Sequence, residues 1–229
     1  MLVVVLLAAA TLVAGGEWVV RQSYFRVHHV TVTGLSHESA AAVLTASGLS
    51  AHPPMIDVSA VQIAQRLSAF TWIGHVAIVK HWPDTLDLTV RERVAVAVAF
   101  DPHHHLRYVD RAGHDLGAAP LNANLPTLAY LHPRTGTWPY EHAGRAAAMV
   151  AALLPPAFAA QVSVITVDQH DIVTLRMTTP VTFILGVPTQ LHAKFVAVAS
   201  VIAHETLRPG DVVDVSVPGA LAVTGPPPS

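Results

Sequence analysis

The chain has 229 residues, 52% of them hydrophobic and 12% charged, enough to bury one larger core or two small ones. Thirteen Lys and Arg against 15 Asp and Glu leave a formal charge of -2, which supplies no polybasic surface for nucleic acid. Cysteine is absent, so disulfide frameworks, thiolate metal sites and redox chemistry at sulfur are excluded.

Leu2 to Val20 is apolar apart from Thr11 and Glu17. As a helix it would rise about 28 Å, enough for a hydrocarbon core. A single transmembrane helix is therefore predicted within residues 1–22, with Glu17 and Trp18 near the aqueous boundary, where a charge reaches water and an indole prefers to lie. Val13-Ala14-Gly15-Gly16 would also suit a cleaved secretory signal, but no positive segment precedes the apolar run. Arg21 and Arg26 follow the span, which on the positive-inside rule favours a cytoplasmic bulk. An extracytoplasmic bulk thus requires a basic tail ahead of Met1, and that is the expectation.

Phe25 to Thr33 is rich in β-branched residues and stops at Gly34, a strand pattern. Ser36 is the predicted cap of a helix through Ala46 that ends at Gly48. A second helix starts at Asp57 or at the Ser59 to Gln62 capping spacing, with Ile63, Leu67 and Phe70 on one face. Strands over Val76 to Lys80 and Leu86 to Arg91 follow, joined by Trp82-Pro83-Asp84-Thr85. Leu86, Leu88 and Val90 alternate with Asp87, Thr89 and Arg91, the mark of a half-buried strand.

From Val94 the pattern turns to strands: Val94 to Phe100, Leu106 to Val109, Val162 to Val167, Ile172 to Met177, Val181 to Leu185 and Val212 to Val217. Two helices interrupt them. One runs from about Tyr140 to Leu154 and stops at Pro155-Pro156; the other runs from Thr189 or Gln190 to His204 and closes at Pro209-Gly210. Asp168 to Asp171 reads as a hairpin connection. The chain is thus α+β: a transmembrane helix over 1–22, a β-α-α-β-β domain over 23–93, a β-rich domain with two helices over 94–217, and a disordered tail over 218–229.

Catalytic chemistry finds little support in these residues. His103-His104-His105 follows Asp101-Pro102 on a predicted exposed hairpin loop, and adjacent histidines in a strand point to opposite faces, so they do not converge on one metal. Asp110, Asp168 and Asp171 sit in polar connections where Asp satisfies turn backbone, without a nucleophile elbow, phosphate loop or zinc motif. Trp82 is expected to pack over its hairpin, Glu92-Arg93 to form an exposed ion pair contributing about 0–1 kcal/mol, and Lys194 to be solvated. No catalytic residue, metal, cofactor or small-molecule substrate is expected.

The landmarks in order resemble the bacterial FtsQ/DivIB cell-division family in its actinobacterial form. They are Phe25-x-Val27 through Val32-x-Gly34, Trp82-Pro83-x-Thr85-Leu86 with Val90-x-Glu92-Arg93, Tyr108-Val109-Asp110-x-x-Gly113, Leu125-Pro126, and Lys194 ahead of Asp214-Val215-Ser216. The resemblance implies a single-pass inner-membrane protein with an extracytoplasmic POTRA domain and a β domain, acting as a septal scaffold. It further implies binding of FtsB and FtsL by strand addition at the last strand. On this chain that site is Val212, Val213, Asp214, Val215, Ser216 and Val217, with Pro218, Gly219 and Ala220 in the following turn. The residues alone support the same mechanism if that strand has an open edge, because unpaired backbone groups accept a foreign strand. Val213, Val215 and Val217 would then share one face. A POTRA-type docking or polypeptide-transport module outside division is the alternative, although neither repeated POTRA units nor a following barrel is evident.

Overall fold

This computed structural model describes Thr11 and residues 22–130 and 143–225. The predicted transmembrane helix, apart from Thr11, lies outside the described residues, as do residues 226–229 of the predicted tail. Among the described residues no helix is long and apolar enough to cross a membrane. Contacts divide the chain into two units, Met1–Arg93 and Val94–Ser229.

The first unit contains β1 (His29–Thr33), α1 (Ala40–Ser47), α2 (Ala60–Leu67), β2 (Ile73–His81) and β3 (Thr85–Glu92), the order the hydrophobic patterning predicts. Its sheet runs β1-β3-β2, with β1 parallel and β2 antiparallel to the central β3. Alternation puts Leu86, Leu88 and Val90 on one face of β3, where they are buried with Val43 of α1 and Ile63 and Leu67 of α2. Of the two predicted starts for α2, the chain uses Ser59, whose Oγ accepts the Gln62 N–H. Gly48 ends α1 with φ 80°.

The start of α1 differs from the sequence expectation: its cap is Ser39, not Ser36. The N–H groups of Ser36, His37 and Glu38 are held by one carboxylate. Glu92 Oε1 accepts from them at 2.9, 3.0 and 3.3 Å, and Oε2 accepts from His37 Nδ1 at 2.7 Å. The His37 ring lies flat on Trp72, centroids 3.8 Å apart. The Glu92 side chain is 8% exposed, so the carboxylate expected to be exposed beside Arg93 instead turns inward to this clasp. Neighbours along a strand diverge to opposite faces, which directs Glu92 to the loop. Gly34 (φ 86°) completes the turn, since a Cβ there would collide with the Val90 carbonyl oxygen.

Burial pushes the Glu92 carboxyl up, but the Ser36 N–H, the His37 ring and the His37 and Glu38 N–H groups outweigh it and hold the pKa at about 2, below the usual 4.5. A depressed carboxylate contributes stability that is complete above the unfolded pKa and disappears as pH falls through the folded one. Glu92→Gln is therefore expected to cost about 3 kcal/mol near neutral pH. It should also flatten the loss of stability that urea titration finds in the native protein as pH falls from 4.5 to 2. The same pH slope in both proteins would contradict the clasp.

The second unit contains β4 (Ala95–Phe100), β5 (Leu106–Asp110), β6 (Asp115–Ala118), β7 (Thr127–Tyr130), α3 (Ala143–Leu153), α4 (Pro156–Ala159), β8 (Val162–Val167), β9 (Val173–Met177), β10 (Thr182–Gly186), α5 (Leu191–His204), β11 (Val212–Asp214) and β12 (Ala222–Thr224). One sheet joins its strands in the order β12-β11-β10-β9-β8-β7-β4-β5-β6. The short strands β6, β7 and β12 and the single-turn α4 are additions to the expected set. Residues 140–142 of the expected first helix lie outside the described residues.

Three hairpin loops share one construction. Asp101, Asp110 and Asp168 each direct Oδ1 to the backbone N–H two and four residues on, at 2.8 to 2.9 Å. In each the residue three positions on, His104, Gly113 or Asp171, takes positive φ. This is a type I turn closed by a left-handed residue, a common three-residue hairpin loop. The backbone N–H of His105 and that of Ile172 hold Asp101 and Asp168 below the usual carboxylate range. Asp110 and Asp168 thus build turns as the sequence predicts, Asp101 does the same, and His103–His105 sit on the exposed loop between β4 and β5.

Candidate functional site

The register of the second sheet sets a single file of side chains across it. Ala99 of β4 pairs with Leu128, Leu128 with Ile165, Ile165 with Leu175, Leu175 with Phe183, and Phe183 with Val213. Directly paired residues share a face, and all six are buried in one core with α3 and α5. The opposite face carries Thr166, Thr174, Arg176, Thr182 and Asp214, none of them buried. The sheet is thus helix-covered on one side, and the file continues from Val213 to its partner Val223 on β12. There it runs out into solvent, for Val223 is 51% exposed.

This placement corrects the expected site. Val212, Val213 and Asp214 pair with β10 on one side and β12 on the other, so they are not at the rim. Val215 is fully buried and donates its N–H to Ile184 O at 2.9 Å, which makes it part of the ladder. Ser216 is half-buried in the bend after the strand, while Val217 (59% exposed) and Gly219 lie in the turn. Val217 therefore does not share the buried face of Val213 and Val215. The rim belongs to Ala222–Thr224, in a stretch expected to be disordered tail. The turn closes through Ala220 N–H to Val217 O, and β12 returns antiparallel along β11. The signal was present in the sequence: Pro218-Gly219 followed by Leu221-Ala222-Val223-Thr224 is a turn followed by a short β-branched run.

The direction of the free backbone groups follows from alternation. Thr182 N–H bonds Asp211 O and Val215 N–H bonds Ile184 O, so the odd-numbered residues of this segment turn their amides to β10. Val212 and Asp214 then turn theirs to β12, where they pair with Thr224 and Ala222. Val223 between those two directs its N–H and C=O outward. The rim so formed is short: beyond Gly225 stand Pro226, Pro227 and Pro228, which carry no N–H to extend a ladder. The far edge strand of the sheet is built differently. On β6 the Asp115 carboxylate accepts two bonds from Arg107 Nε and Nη2, the shorter 2.7 Å, and Oδ1 also accepts the Gly117 N–H at 2.8 Å. A charged pair and a local kink are the usual means of blunting an edge.

Lys194, expected to be solvated, is 3% exposed. Its ammonium on α5 donates to Leu185 O and Val187 O, both at 2.7 Å. These carbonyls flank Gly186 (φ 68°), where the β9–β10 register slips and where a Cβ would come within 2.8 Å of Ser216 Cβ. Burial pulls the Lys194 pKa down, against the pull of Asp214 in the other direction. The lysine thereby ties α5 to the end of β10, against which the final hairpin is laid. In the first unit Trp82 is 52% exposed and meets the Phe25 ring edge-on. Among the described residues no cluster of three metal-ligating side chains occurs.

Replacing Lys194 by Met keeps the volume but leaves two carbonyls without a donor, and should cost about 2 kcal/mol in urea unfolding. Amide exchange should quicken first across Val212–Asp214. Exchange there unchanged from the native protein would contradict the role given to Lys194.

Residues 25–93 match the family described as POTRA domain, FtsQ-type. Over 191 residues, 83% of this chain, it is 30% identical to the cell division protein FtsQ of Mycolicibacterium smegmatis, covering 54% of that protein. It is 28% identical to that of Mycobacterium leprae over 193 residues, 84% of this chain and 54% of the relative. A shorter match, 36% over 100 residues, reaches the FtsQ of Zymomonas mobilis, with 43% of this chain and 30% of that one covered. The chain spans about half the length of the mycobacterial relatives. The first unit thus matches the FtsQ-type POTRA domain, and over most of its length the chain is similar to bacterial cell division proteins named FtsQ.

Proposed function

We propose that this protein is a non-catalytic scaffold of the division septum that recruits FtsB and FtsL-like proteins by accepting an extended segment at the free edge of β12. In this reading Leu2–Val20 is its single span in the inner membrane and the bulk of the chain is extracytoplasmic. The carrying observation is the outer edge of β12, where Val223 presents outward backbone groups and stands exposed at the end of a buried apolar file. A strand laid against it satisfies the backbone and covers the valine. Val212, Val213, Asp214, Val215 and Ser216 act from behind by fixing the hairpin, and Val217 and Gly219 remain at the surface beside it.

Magnitudes limit what the strand supplies. Covering the exposed half of Val223 is worth about 1 kcal/mol, and each edge hydrogen bond adds about 0.5–1.5 kcal/mol. The sum falls short of the roughly 8 kcal/mol of a micromolar complex. Firm binding therefore draws on neighbouring side chains, for which Val217 and Leu221, exposed in the segment between β11 and β12, supply apolar surface.

A proline scan separates this edge from the ladder behind it. Val223→Pro removes an outward N–H and leaves the β11–β12 bonds in place, so it should cut capture of immobilised FtsB at least about tenfold, a loss of 1.4 kcal/mol, with circular dichroism unchanged. Capture equal to that of the native chain would contradict the edge as the site. Val215→Pro, by contrast, breaks the core ladder and tests folding.

A further inference from the structure

The described chain enters its first unit without slack. Gln22 follows the apolar Leu2–Val20 stretch by two positions. Ser23–Phe25 form a 3-10 turn, Arg26 bridges Pro54 and donates from Nη1 to His52 O at 3.1 Å, and Val27 N–H bonds Pro53 O at 3.0 Å. The N–H groups of His28 and His29 both reach Asp84 O, at 2.9 and 3.2 Å. The backbone is thus clamped between the 52–54 segment and the 82–84 turn.

The clamped end carries a line of aromatic rings with little to cover it. Tyr24 is 68% and Trp82 52% exposed, with Phe25 between them at centroid distances of 5.1 and 6.1 Å. Ile56, 47% exposed, follows Met55, whose carbonyl accepts from Lys80 Nζ near the same turn. Single exposed apolar residues are ordinary, but contiguous ones mark a contact surface. Four residue steps lead from Val20 to Tyr24, a reach of at most about 14 Å. Phenol and indole rings favour the headgroup level of a bilayer, where one end of each ring system is apolar and the other wet.

We propose that Tyr24, Phe25 and Trp82 form a membrane-docking face that seats the first unit in the headgroup region of the bilayer. The inference rests on Leu2–Val20 being the membrane segment, and it adds that the domain touches the bilayer it emerges from. The fixed entry of residues 23–29 makes the contact a property of the domain's pose, since no free linker lies between Gln22 and the clamp.

The test uses the full chain in phosphatidylcholine and phosphatidylglycerol vesicles containing a lipid brominated high on its acyl chains, which quenches tryptophan at the interface. The native chain has Trp18, Trp72, Trp82 and Trp138. Trp82→Phe should lower the quenched fraction by about as much as Trp18→Phe does, with the far-ultraviolet circular dichroism unchanged. If Trp18→Phe lowers it and Trp82→Phe does not, the segment is in the membrane and the docking face is wrong. If neither lowers it and the chain fails to float with the vesicles, the membrane reading of Leu2–Val20 falls and the docking face with it.

Discussion

The second unit depends on one file of apolar side chains, Ala99, Leu128, Ile165, Leu175, Phe183 and Val213, threaded through six neighbouring strands beneath α3 and α5. A sheet covered on one face fixes its register, because a slip of one residue would exchange this file for the threonine-rich opposite face. The file has no natural stop on the β12 side. Val223 prolongs it past the last covered position, so the constraint that stabilises the core also leaves an unfinished surface at the rim. At the opposite edge Arg107 on β5 and Asp115 on β6 form an ion pair. One edge strand carries a charged pair and the other an exposed valine, and the latter is where binding is proposed.

Polar groups do comparable work in positions that hydrophobic patterning does not reveal. Glu92 holds a loop more than fifty residues away in sequence, and Lys194 holds two carbonyls around Gly186. Both are nearly buried, and in each case an ionised group is satisfied by several short bonds at once, the condition under which burying charge is tolerated. Both also sit where an element would otherwise lose its place: the entry to α1 and the end of β10.

Local rules made much of the fold legible. Ser59 and Gly48 bound their helices through capping that involves only near neighbours, and the alternation in Leu86–Arg91 fixed the buried face of β3. Ser36 misled because Glu92, remote in sequence, holds the His37 and Glu38 amides that follow it. β6 and β7 escaped notice because four residues apiece, such as Asp115-Leu116-Gly117-Ala118, hold too little pattern, and β7 is secured by parallel pairing with β4 and β8. The open edge lies one strand beyond the expected one. Val212–Val217 has the composition of a binding edge, yet its burial belongs to a strand with neighbours on both sides, and the short run after Pro218-Gly219 supplies the rim.

Residue-resolved amide exchange of the chain, with and without an FtsB segment, tests the central claim most directly. Exchange at Val223 should slow on binding, while Val213 and Val215, already bonded within the sheet, change little. Protection that leaves Val223 untouched and gathers elsewhere, for instance along β6, would contradict it.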